Sequence, residues 1–257
     1  SVAKYIATST LEAGLDVKSM AETSTKVFIL EVMGRHAGWI AAASCLAATK
    51  AGDPPHIILL PEVPFEKTKF ITQVKQTVKE QGYCVIVASE GTQTKNGKFL
   101  ADSGLTDAFG HKQLGGVAPV LAGMISKIGL KNHWAVADYL QRSARHIASK
   151  TDLDQAYAVG EHAVKLAISG KTALMPIIKR TSDSPYKWKI ATAPLKNVAN
   201  IEKTMPKKFI SKNGFEITQA GKTYLNPLIK GEAPIKYVNG LPDIAELKKI
   251  KVKKKLS

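Results

Sequence analysis

A basic loop flanked by glycines, placed directly after an apolar run, is the stretch of this sequence best suited to chemistry. Val27-Phe28-Ile29-Leu30-Glu31-Val32 leads into Met33-Gly34-Arg35-His36-Ala37-Gly38, and an alanine-rich stretch follows. Gly34 and Gly38 let a ligand approach the backbone, and a helix starting beyond them offers free N–H groups to an anion. Arg35 adds a planar fork of donors that matches phosphate. Two further apolar runs end on carboxylates, at Pro61-Glu62 and at Ser89-Glu90-Gly91. A carboxylate accepts hydrogen bonds from hydroxyl groups, so the set suits an anionic ligand that carries hydroxyls. Singly, each feature has a plainer explanation: a glycine pair marks tight packing, and a Glu at a strand end is solvated.

The elements around these residues bring them to one place. Val27 to Val32, Ile57 to Leu60 and Tyr83 to Ala88 read as buried strands. Between them, Trp39 to Ala48 reads as a helix ended by Gly52-Asp53-Pro54-Pro55, and Phe65 to Gln81 as a helix stopped at Gly82. Strand, helix, strand, helix, strand in this order is a βαβαβ unit, and ligands of such parallel sheets bind beyond the carboxyl ends of the strands. All three candidate loops fall at that edge.

Elsewhere the pattern is less regular. Val2 to Ala13 reads as a helix with no strand before it, and the chain starts at Ser1, as if within a domain. Gly91 to Gly104 is expected to be a loop, Val117 to Ile128 a helix ending at Gly129, and Asp154 to Ile168 an amphipathic helix closed by Gly170. From Thr181 onward prolines at 185, 194, 206, 227, 234 and 242 break the pattern into short pieces.

Composition narrows the class. With 44% hydrophobic and 23% charged residues over 257, the chain can bury a sizeable core. No apolar run reaches the roughly 20 residues that span a bilayer. Cys45 and Cys84 lie in apolar stretches, which argues against a disulfide framework and for a reducing cytoplasm. The net charge of +16 suits an anionic partner, but much of it sits in Lys248, Lys249, Lys251, Lys253, Lys254 and Lys255, a run best read as a solvated tail. No zinc-finger spacing, RNA-binding aromatic motif or helix-turn-helix pattern accompanies it, so no nucleic-acid partner is expected.

Lys26 to Gly38 resembles the EVMGRxxG segment of the phosphofructokinase family. The similarity continues through Pro61-Glu62, Ala88-Ser89-Glu90-Gly91 and Tyr139-Leu140-Gln141-Arg142. Pro185-Tyr186-Lys187-Trp188 and Pro227-Leu228-Ile229-Lys230-Gly231-Glu232 look like the pyrophosphate-dependent branch. The resemblance implies a Rossmann-like α/β fold with a parallel sheet, lacking most of the amino-terminal domain. It implies transfer of a phosphoryl group from pyrophosphate to fructose 6-phosphate, with Mg²⁺ bound alongside pyrophosphate. An ATP-dependent member, or a non-catalytic regulatory subunit of the family, is the alternative.

By the same resemblance, Met33, Gly34 and Arg35 line the fructose 6-phosphate site, and Arg35 offsets charge near the transferring group. Glu90 binds sugar hydroxyls, and Tyr139 with Arg142 contacts the sugar phosphate. Lys26, seven residues before Met33, would reach the phosphate held by a neighbouring subunit. A second such basic residue is either Lys131 or His133. A homodimer or homotetramer with shared sites follows. His111-Lys112-Gln113-Leu114-Gly115-Gly116 resembles a related HxQRGG motif, but Leu114 stands where the phosphate-gripping Arg belongs, so Arg142 takes that role.

The family's Gly-Gly-Asp phosphate loop and T-I-D-N-D-type catalytic segment do not occur here. The catalytic aspartate and the metal ligands are therefore expected upstream of this chain. Residues 1–25 should link from that upstream domain, 26–138 form the sugar-phosphate-binding α/β domain, 139–180 return towards the upstream domain, and 181–257 form a carboxyl-terminal extension.

Overall fold

The computed structural model describes residues 1–106, 112–114 and 116–251. Its centre is a parallel sheet of four strands in the order β2-β3-β1-β6: β1 (Val27–Val32), β2 (Ile57–Leu59), β3 (Cys84–Ser89) and β6 (Asn132–Val136). The first three are built from side chains that sit well on a pleated surface and are covered on both faces, so they read as continuous apolar runs.

Alternate residues serve opposite layers. Val27 and Ile29 of β1, with Ile57, Leu59, Cys84 and Ile86, pack on helices α3 (Lys67–Gln81) and α4 (Val117–Ser126) through Phe70, Val74, Leu121 and Ile125. Leu30 and Val32, with Ile58, Leu60 and Val87, face the other way. There they meet Ile6 of α1 (Val2–Met20) and Ala41 and Ala42 of α2 (Trp39–Ala43), which continues as a 3₁₀ turn over Ser44–Ala47. Met205, Phe209, Ile217 and Leu225 join that second layer, the last from α7 (Gln219–Leu225).

The expected strands and the helix to Gln81 are present within a residue or two. Elsewhere the structure differs from expectation. Helix α1 runs on past Ala13 to Met20, and Gly14 within it is a packing site, where a Cβ would lie 2.4 Å from Pro54 Cγ. The stretch expected as a loop to Gly104 already enters β4 (Asp102–Thr106), which pairs with β5 (Lys112–Leu114). Strand β6 was not foreseen, since Asn132 to Val136 is an exposed edge with a mixed polar pattern. After the short α5 (Leu140–Ser143), α6 (Lys150–Ile168) starts four residues earlier than expected, with the Ser149 hydroxyl accepting from Asp152 N at 3.1 Å.

The largest difference is late in the chain. Where short pieces were expected, β7 (Leu174–Asp183) and β8 (Tyr186–Pro194) form a long antiparallel hairpin whose turn takes up Pro185. Residue 181, the expected start of the extension, lies inside β7. A small ladder of β9 (Tyr237–Val238) and β10 (Leu241–Pro242) follows. Lys253, Lys254 and Lys255 of the basic tail lie outside the described residues.

Candidate functional site

Register places three loops side by side at the carboxyl edge of the sheet. Val32 of β1 pairs with Ser89 of β3, and Glu31 pairs with Val136 of β6. The ladder carries on beyond the strands, from Glu90 N to Val32 O and from Ala137 N to Glu31 O, both at 2.9 Å. Residues 33–38, 89–92 and 137–142 therefore leave the sheet together.

Side chains then tie these loops to one another. Gly34 N donates to Glu90 Oε1 at 3.2 Å, and Met33 N donates to Gln141 Oε1 at 3.4 Å. Gln141, itself buried, donates through Nε2 to Asp138 O at 2.8 Å. Gly91 is pressed against the Arg35 loop so tightly that a Cβ would lie 1.9 Å from Arg35 O. Only glycine fits there.

Arg35 is half-buried, and its Nε is buried without a hydrogen-bond partner among the described residues. A guanidinium nitrogen withdrawn from water without an acceptor is costly, and an anionic ligand removes that cost. Tyr139 and Arg142 are exposed, with the guanidinium stacked over the phenol ring at 4.4 Å. Stacking leaves the edge donors of the guanidinium free to grip an anion. The expected Met33, Gly34, Arg35, Glu90 and Tyr139 thus lie in segments that leave the same edge, and Arg142 lies in the short α5 that follows.

Lys26 is elsewhere. It precedes β1, at the amino edge, and its ammonium donates to Ala21 O. Six residues of strand at about 3.3 Å each separate it from Met33. Lys131 lies beside it, accepting from Lys26 N at 2.9 Å and donating through Nζ to Ser24 Oγ at 2.9 Å. His133 follows on β6, exposed and paired with Phe28.

Glu62 is tied to backbone within the chain. Its carboxylate accepts Gly38 N at 3.0 and 3.2 Å, and Met205 N at 2.9 Å. Within the motif set aside above, Lys112–Leu114 form β5, while His111 and Gly115 lie outside the described residues.

Sequence reasoning missed Glu31. It is 5% exposed and accepts Ala118 N at 2.8 Å, so it caps α4 across the sheet. Burial pushes its carboxyl above the ordinary range, and the negative charges of Glu90 and Asp138 add to the rise. The signal was available, since a carboxylate in the middle of a strand buried on both faces needs a dedicated partner. Gln141 carried no such signal.

This edge combines an arginine with an unpartnered buried donor, a glutamate bonded to Gly34 N and a stacked Tyr-Arg pair. Residues 7–167 match the phosphofructokinase family. The chain belongs to that family. It is 63% identical over its whole length to the pyrophosphate–fructose 6-phosphate 1-phosphotransferase of Halomonas elongata, covering 61% of that protein. The enzyme of the same name from Xanthomonas campestris pv. campestris is 57% identical, with 62% covered. A solved pyrophosphate-dependent phosphofructokinase from Marinobacter aquaeolei superposes with a TM-score of 0.88 at 57% identity, and again this chain covers 61% of it. The chain thus spans about three-fifths of the length of the relatives it matches.

Proposed function

We propose that the polypeptide carrying this segment transfers a phosphoryl group from pyrophosphate to the 1-hydroxyl of fructose 6-phosphate, giving fructose 1,6-bisphosphate and phosphate. The observation that carries the proposal is the joined edge, where Gly34 N meets the Glu90 carboxylate beside an arginine with an unsatisfied buried donor. The relatives named for this reaction support the same assignment.

In this reading the acceptor lies along the loops. Tyr139 and Arg142 take the 6-phosphate, Glu90 accepts from ring hydroxyls, and Met33 and Gly34 line the sugar. Arg35 offsets charge on the phosphoryl oxygens. Transfer of this kind depends on alignment and charge neutralisation, so fixing the acceptor by its remote phosphate orients the 1-hydroxyl. Mg²⁺ would neutralise the pyrophosphate. Among the described residues no group of three or more His, Cys, Asp or Glu side chains is placed to hold a metal ion.

Lys26 enters only if sites are shared. Its place at the opposite sheet edge fits a contact to a second subunit, with Lys131 or His133 beside it. Residues 139–180 then return to the rest of the polypeptide, and the outward Tyr157, Val164 and Ile168 of α6 are consistent with such a contact. Among the described residues no helix is long and apolar enough to cross a membrane, and Cys45 and Cys84 are free and buried. A cytoplasmic site is in keeping with both.

The test is an assay of the full-length protein with fructose 6-phosphate and each donor. Fructose 1,6-bisphosphate should form with pyrophosphate and not with ATP at equal concentration. Product with ATP alone overturns the donor assignment, and no product with either overturns the function.

A further inference from the structure

The loop that carries Arg35 is held from outside the family's matched region. Residues 202–205 lie beyond the stretch 7–167 that matches the family, yet they touch residues 36–39 at two points directly and at a third through Glu62. The indole Nε1 of Trp39 donates to Lys203 O at 2.7 Å. His36 Nε2 lies 3.9 Å from Glu202 Oε1 at the solvent-facing end. Between these, one carboxylate oxygen of Glu62 accepts both Gly38 N and Met205 N, at 3.0 and 2.9 Å.

From these contacts we infer that Glu62 is a positioning residue, which locks the Arg35 loop onto the 202–205 segment. The two sides differ in how firmly they are held. Met205 is 3% exposed and sits in the core cluster with Phe209 and Leu225, so its backbone is fixed by packing. Residues 33–37 have no regular structure of their own, and the helix that follows has five residues, too short to hold a loop by itself. Glu62 is itself anchored through fully buried Leu60, at the end of β2. It transmits the rigidity of the core to Gly38, three residues from Arg35.

The consequence rests on the phosphoryl-transfer reading given above. Freeing Gly38 disperses Arg35, which acts at the transferring group, while Tyr139 and Arg142 still hold the sugar phosphate. Loss of Glu62 should therefore appear in kcat and leave KM for fructose 6-phosphate nearly unchanged.

In the full-length protein, Glu62→Ala should lower kcat by at least about tenfold, with KM for fructose 6-phosphate within about threefold of wild type. Glu62→Gln keeps an acceptor oxygen and should recover most of that loss. Trp39→Phe, which deletes the indole donor and trims the ring packed on Phe209 and Tyr224, should fall between them. Amide hydrogen exchange gives a readout without turnover: Gly38 and Met205 should exchange faster together in Glu62→Ala while β1 and β3 keep their protection. A loss carried by KM, a Gln variant as impaired as Ala, or Gly38 exchange uncoupled from Met205 overturns the inference. If Glu62→Ala does not fold, Glu62→Gln and Trp39→Phe decide it by the same criteria. An inactive wild-type enzyme would remove the functional reading, and the exchange measurement would still test the lock.

Discussion

The backbone N–H of Gly34 donates to the Glu90 carboxylate across the edge between β1 and β3, at 3.2 Å. This bond ties the glutamate proposed to face the sugar to the loop that carries Arg35. One carboxylate oxygen is committed to it, and the proposed sugar contact falls to the other. Glu90→Ala removes both uses. A hydrogen bond to a charged acceptor is worth about 1.5–3 kcal/mol, so KM for fructose 6-phosphate should rise about 10- to 100-fold in steady-state assays.

Arg142 and Tyr139 should separate cleanly. Arg142→Ala deletes the charged fork and is expected to raise KM for fructose 6-phosphate by about 100-fold. Tyr139→Phe keeps the ring beneath the guanidinium at 4.4 Å and should change KM only by what the phenol hydroxyl itself contributes. Equal losses in the two variants would place the anion contact on the phenol.

Gly91 leaves no room for a side chain. In Gly91→Ala the new Cβ would sit 1.9 Å from Arg35 O, backbone against backbone, so one of the two loops must move. The variant should lose at least about tenfold in kcat/KM and melt lower by calorimetry. Wild-type activity would mean that the Arg35 loop does not rest on residue 91 in solution.

Glu31 gives a pH signature in stability. Its carboxyl is raised above the unfolded value by burial, so the folded state holds this proton more tightly than the unfolded chain. Folding stability from this group then falls as pH rises from the unfolded pKa through the folded one, and the full cost persists above both. Glu31→Gln has no charge to bury and can still accept Ala118 N. Its Tm should gain on wild type as pH is raised from 4 to 8. A constant difference across that range would show that ionisation of Glu31 carries no cost.

Lys26 tests the shared site. If its ammonium serves a neighbouring subunit, Lys26→Ala and Arg142→Ala should each weaken fructose 6-phosphate binding in the homo-oligomer. A mixed oligomer of the two variants then contains one site with neither lesion. Refolding the variants together should restore activity above the sum of the separate proteins. Simple additivity would place Lys26 outside the site.

The sequence by itself determined the central layers and the ligand edge. Val27 to Val32, Ile57 to Leu59 and Cys84 to Ser89 are apolar on both faces apart from Glu31 and Ser89 near their carboxyl ends, and burial in a covered parallel sheet satisfies such runs. Once they are parallel strands, Arg35 and Glu90 must emerge at the same end. What the sequence did not carry was pairing at long range. Gln141 finds Met33 across 108 residues, and Glu62 finds Met205 across 143. No local pattern distinguishes such a carboxylate or amide from a solvated one, because its partner is a backbone N–H that every residue has. The hairpin of β7 and β8 was hidden for a related reason, since both strands are only partly buried and Pro185 suggested a break. Lys26 shows the same division. Reading Val27 to Val32 as a strand already puts it at the far end from Met33, but only the folded sheet places Lys131 beside it.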